Sequence, residues 1–74
     1  MRRKVDTEFV ILFGENLRKV RKSKKMTMEK LAEKADMEYS QISRIEKGQI
    51  NTSISTVKLL ADALGVDAKD LFDF

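Results

Sequence analysis

The sequence predicts an all-α domain of five short helices. Three observations carry that expectation. Apolar residues recur at helical rather than alternating spacing, proline is absent, and punctuation falls to glycines at 14, 48 and 65 together with Ser, Thr and Asp residues placed to cap helix starts. Seventy-four residues are expected to make one domain, with a small core.

Residues 1–7 read as a basic N-terminal arm carrying Arg2, Arg3 and Lys4, and residues 8–74 as the folded domain. Val10, Phe13, Leu17 and Val20 lie on one face of a first helix, about 8–23, with Glu15, Arg18, Lys19 and Lys22 on its polar side. Residues 9–13 are apolar on nearly every side, more than one buried stripe needs, so part of this segment is expected to face a partner subunit. Thr27 can cap a second helix, about 28–35, because its hydroxyl can accept an orphaned N–H of the first turn. Leu31, Ala32 and Ala35 form its inner stripe. Asp36-Met37-Glu38 breaks the period, and a third helix follows over about 39–47, with Gly48 placed just past its end, where a positive φ is cheap. After a polar loop at 49–52, Ser53 caps a fourth helix whose apolar positions are Ile54, Val57, Leu60, Ala61 and Leu64. Gly65 ends it. Asp67 is then expected to cap a last helix, 68–72, returning Leu71 and Phe72 to the core.

Cysteine and histidine are both absent, which removes disulfides, thiolate nucleophiles, imidazole bases and the usual zinc ligands. No cofactor, no metal, no small-molecule ligand and no enzymatic activity are expected. The carboxylates Asp62, Asp67, Asp70 and Asp73 are explained by helix capping and solvation. The apolar run at 9–13 is too short to cross a bilayer, and no signal-like segment follows the basic start, so the expected location is cytoplasmic.

The net charge of +3 is unevenly spread: residues 1–25 carry +6 and the remainder −3. Such asymmetry suits docking onto a polyanion in one orientation, although a lysine-rich solvated surface would look the same.

Two short helices joined by a three-residue turn form a helix-turn-helix unit, whose second helix can enter the major groove of DNA. At about 100° per residue, Ile42 and Ile45 point inward, while Ser40, Ser43, Arg44 and Lys47 share the outer face. Arg can pair bidentately with guanine and Ser can bond either kind of base edge, so this face has the chemistry of a base reader. An ordinary amphipathic helix with a solvated outside remains open from the spacing alone.

The stretches Leu17-Arg-Lys-Val-Arg, Met26-Thr-Met-Glu-Lys-Leu-Ala, Gln41-Ile-Ser-Arg-Ile-Glu-Lys-Gly and Ala61-Asp-Ala-Leu-Gly-Val, in that order and spacing, resemble the Cro/CI-type (XRE) helix-turn-helix family. The resemblance covers about residues 13–72. It implies a five-helix lambda-repressor-like fold and a sequence-specific transcriptional regulator, repressor or autoregulator, that binds double-stranded DNA at a palindromic operator as a homodimer. It places base-reading positions on Tyr39, Ser40, Ser43 and Arg44, and phosphate contacts on Gln41, Lys47, Thr27, Met28 and the loop residues Asn51 and Thr52. Family members usually carry glutamine where Met28 stands, and methionine cannot donate a strong hydrogen bond. Arg21 and Glu46 fall on family positions that form a structural ion pair. A protein-interaction module on the same fold, such as an antitoxin or adaptor docking through its acidic C-terminal part, is the alternative reading.

Overall fold

The computed structural model describes residues 5–74 and contains four α-helices: α1 (Thr7–Ser23), α2 (Met28–Ala35), α3 (Tyr39–Glu46) and α4 (Ile54–Leu64). A 3-10 helix (Ala68–Phe72) follows, and there is no strand among the described residues. Four α-helices therefore stand where five helices were expected. The last element is too short to settle into α geometry: Asp70 N–H bonds to the Asp67 carbonyl at 3.0 Å, an i to i+3 closure, while Asp67 N–H donates to the Asp70 carboxylate at 3.0 Å. Of the expected N-terminal arm, the charges at Arg2, Arg3 and Lys4 lie outside the described residues.

Local chemistry sets the boundaries. The Asp6 carboxylate accepts from Phe9 N–H, Thr27 Oγ1 from Lys30 N–H and Ser53 Oγ from Thr56 N–H, so three helix starts are capped by side chains. α2 ends at Asp36 in the left-handed region (φ 55°), with Asp36 N–H bonded to Glu33 O and Met37 N–H to Ala32 O. That paired closure, with Met37 packed against the core behind it, turns the chain sharply into α3.

Leu17, Leu31, Ile42, Ile45, Leu60 and Leu71 are fully buried and bring all five elements to one core. α1 packs on α3 and on the 3-10 helix, α2 on α3 and α4. Gly14 lies in the middle of α1 and ends nothing; it is a contact point. A Cβ there would collide with the Ile45 carbonyl and stand 2.8 Å from the Glu46 carbonyl, so the bare backbone lets α1 touch the C-terminal turn of α3. Asn16 is buried and donates from Nδ2 to the Asp70 carbonyl at 3.0 Å, fastening the 3-10 helix to α1.

Two apolar positions depart from the expected core. Ile54 fits the period of α4 but is 90% exposed, because the first turn of that helix overhangs the core. Phe72 is 41% exposed and rests on Phe13 and Phe9 rather than entering the interior.

Candidate nucleic-acid interface

Arg21 organises the surface formed by α1, the start of α2 and α3. Its Nε donates to Glu46 Oε2 at 2.7 Å and its Nη2 to Glu46 Oε1 at 3.1 Å, a fork-on-fork pair, while Nη1 donates to the Met26 carbonyl at 2.8 Å. The hydrogen bonding of Arg21 to the Glu46 carboxylate raises the Arg21 pKa above its ordinary value; burial opposes the shift and the carboxylate charge adds to it. These bonds join the last turn of α1, the loop entering α2 and the last residue of α3. The angle between the two helices of the helix-turn-helix is thus held at its open side.

At the start of α2, Thr27 Oγ1 is occupied as an acceptor by Lys30 N–H at 3.1 Å, which leaves the hydroxyl hydrogen free for an outside acceptor such as a phosphate oxygen. Met28 beside it is half-buried and packs against the core, so its side chain contributes apolar filling.

Burial of Ile42 and Ile45 fixes the rotation of α3 about its axis. Tyr39, Ser40, Arg44 and Lys47 are consequently exposed, and Gln41 and Ser43 are half-buried at the margins. Gly48, at φ +70°, turns the chain away after Lys47, with Ile11 of α1 packed so close that a Cβ would meet its Cγ1 at 2.7 Å.

Met28, Ser43 and Lys47 meet at one cleft of about 150 Å³, with Arg18 on its rim and the Arg21–Glu46 pair in its lining. Arg18 was not among the site residues expected from the sequence. The available signal was its position three residues before Arg21 on the same face of α1. Because Glu46 neutralises Arg21, the free positive charge of this cleft comes from Arg18 and Lys47. Asn51 and Thr52 are not brought into it; they line a separate, apolar cleft with Phe9, Val10 and Ile54. Asn51 is exposed, but Thr52 Oγ1 is buried with no hydrogen-bond partner among the described residues, so an outward contact by Thr52 would fall to its backbone. No helix among the described residues is long and apolar enough to cross a membrane, and no metal-binding group of side chains occurs among them.

The comparisons with known proteins agree with this geometry. The chain is 45% identical over 65 residues to the control protein C.BamHI of Bacillus amyloliquefaciens, covering 86% of this chain and 80% of that protein. It is 40% identical over 53 residues to the immunity repressor protein of Bacillus phage phi105, spanning 72% of this chain and 37% of the repressor's length. Among solved structures, the restriction-modification controller protein C.AhdI from Aeromonas hydrophila superposes with a TM-score of 0.83 at 33% identity, over 85% of this chain and 96% of that one. The helix-turn-helix family model HTH_3 matches residues 17–71, from the buried Leu17 of α1 to the buried Leu71 of the 3-10 helix, and the chain belongs to that XRE-type helix-turn-helix family.

Proposed function

We propose that this DNA-binding transcriptional regulator reads duplex DNA with α3 in the major groove and acts as a homodimer on a palindromic operator. The observation that carries the reading is the edge of α3: Ser40, Ser43 and Arg44 stand side by side, backed by buried isoleucines and flanked by the Arg18 and Lys47 cations. Ser40, Ser43 and Arg44 would meet base edges, Arg44 bidentately at a guanine, with Tyr39 stacking on sugar or a thymine methyl. Lys47, Arg18, Gln41 and the Thr27 hydroxyl would meet phosphates, and so would Asn51 with the backbone of Thr52. The phosphate contacts set affinity and register, and the base contacts set sequence preference. Met28 would contribute only an apolar surface at the DNA edge. Two copies would span half-sites about 34 Å apart, or a multiple of that. The names borne by the relatives, a control protein and an immunity repressor, favour a role as repressor or autoregulator.

Selection of bound sequences from a random duplex pool tests the proposal. Enrichment of a two-fold symmetric site with half-sites about one helical turn apart is the expected result. A pool that emerges unenriched after successive rounds, with binding abolished by moderate salt, would overturn sequence-specific reading.

A further inference from the structure

Sulfur occurs in this chain only as methionine, at positions 1, 26, 28 and 37. Met26, Met28 and Met37 are all half-buried against the core, and Met1 lies outside the described residues. Of the three, Met28 lines the cleft of about 150 Å³ that it shares with Arg18, Ser43 and Lys47, and the other two do not. Because a space of about 10–15 Å³ holds one water, that cleft admits a molecule the size of hydrogen peroxide. We propose that Met28 is an oxidation site, and that its conversion to the sulfoxide by a hydroperoxide turns this cleft from one that holds DNA phosphate into one that excludes it.

In the oxidation the thioether sulfur attacks one peroxide oxygen and the O–O bond breaks. The departing hydroxide then takes the proton from the transferred oxygen and leaves as water, so sulfur is oxidised as peroxide is reduced. No cysteine is present to consume the peroxide first. Arg18 and Lys47 face the same cleft and can hydrogen-bond the departing hydroxide, which favours the step at Met28 over Met26 and Met37.

A thioether is a weak acceptor, whereas the sulfoxide oxygen is a polar one with no hydrogen to donate. Glu46 already occupies Arg21, so the cations open to this oxygen are Arg18 and Lys47, the two proposed to meet phosphate. Whichever it engages is withdrawn from the DNA backbone, and its partial negative charge stands where a phosphate oxygen would come. Met28 is the first residue of α2, next to the Thr27 hydroxyl, so the repulsion reaches that contact too. Reduction reverses the change: two thiols join as a disulfide and the sulfoxide oxygen leaves as water, the chemistry of methionine sulfoxide reductases.

The inference rests on the phosphate reading of the cleft given above, and the experiment separates the two. The full chain, untreated or treated with hydrogen peroxide, is mapped by peptide mass, melted, and titrated with duplex DNA at several salt concentrations. Oxygen is expected to enter Met28 ahead of Met26 and Met37. The treated chain should bind at least about tenfold more weakly, as loss of one charge-assisted contact per copy requires. Its slope of log K against log salt should fall by about one for each copy bound, while its melting stays cooperative. Each variant is compared with its own untreated sample. Met28→Leu should show no such loss on treatment, Met26→Leu and Met37→Leu should show it in full, and methionine sulfoxide reductase with a dithiol should restore binding to the treated wild type. Oxygen entering Met26 or Met37 first, a Met28→Leu chain that responds as the wild type does, or a loss of affinity that comes with loss of cooperative melting overturns the inference and leaves the phosphate reading standing. An untreated chain whose duplex affinity is unchanged by both Arg18→Gln and Lys47→Gln overturns the phosphate reading and the inference with it.

Discussion

Arg21 and Glu46 form a bidentate pair at 2.7 and 3.1 Å, both residues more than nine-tenths buried, and the third Arg21 bond reaches the carbonyl of Met26, two residues before α2 begins. One guanidinium therefore sets the position of the Thr27 hydroxyl relative to the outer edge of α3. Arg21→Met strands the Glu46 carboxylate in the interior and should cost about 3–5 kcal/mol in urea unfolding, whereas Arg21→Met combined with Glu46→Leu should recover most of it. The double variant still loses the Met26 bond, so its DNA affinity should fall even where its stability returns. A double variant as unstable as the single one would mean that the charge of Glu46 is not what the pair satisfies.

The same pair predicts how stability responds to pH. A cation whose pKa is raised on folding stabilises fully below its unfolded value and loses that contribution only as pH climbs through the folded one. For Arg21 both lie far into the alkaline range, so the pair's contribution, taken as the coupling energy of a double-mutant cycle, should not fall between about pH 6 and about pH 10. Urea titrations at several pH values check this. A coupling energy that fades across that alkaline half would count against the pair as the source of it.

Gly14→Ala should destabilise although alanine is the better helix former by about 1 kcal/mol. The added methyl meets two backbone carbonyls at the end of α3, and backbone cannot rotate aside as a side chain can. Overpacking of this kind costs about 1–3 kcal/mol. Thermal melting of the variant decides the sign, and a melting temperature at or above that of the wild type would refute the close approach of α1 and α3.

Gly14 also marks where reading the sequence stops short. The helical periods, the capping roles of Thr27 and Ser53 and the positive φ of Gly48 and Gly65 are local properties, and each was legible from neighbours within four residues. A glycine inside a helix resembles punctuation until a second helix is seen against it. Ile54 fits its period yet stands in solvent, because where a helix runs past the core depends on the elements beneath it. Arg18 belongs to the cationic cleft through α2 and α3, which a helical wheel of α1 does not contain. The Thr52 hydroxyl had no sequence signal that it would turn inward. The Arg21–Glu46 spacing of 25 residues, by contrast, was anticipated through the family resemblance, which carries tertiary information that periodicity lacks.

Lys25 takes a left-handed conformation, φ 55°, just after α1, where its N–H bonds to the Lys22 carbonyl. A residue with a Cβ pays about 1–2 kcal/mol in that region and glycine does not. Lys25→Gly should therefore stabilise the fold, by about 0.5–1 kcal/mol once the larger unfolded-state freedom of glycine is subtracted. Chemical denaturation reads this directly, and a loss of stability would show that the lysine side chain makes a contribution larger than the relieved strain.

Arg18 and Arg44 should separate affinity from sequence preference, since one faces the cleft shared with Lys47 and the other the outer edge of α3. Arg44→Ala is expected to cost about 1–3 kcal/mol and to relax preference at one base position per half-site, with the salt dependence of binding little changed if the side chain meets a base. Arg18→Gln should weaken binding to all sequences alike and reduce the slope of log K against log salt by about one for each copy bound. Titrations of operator and scrambled duplexes at several salt concentrations measure both quantities together. If Arg18→Gln instead altered preference while leaving the salt slope intact, the cleft would belong to base reading, and the register of α3 in the groove would have to be rotated toward α1.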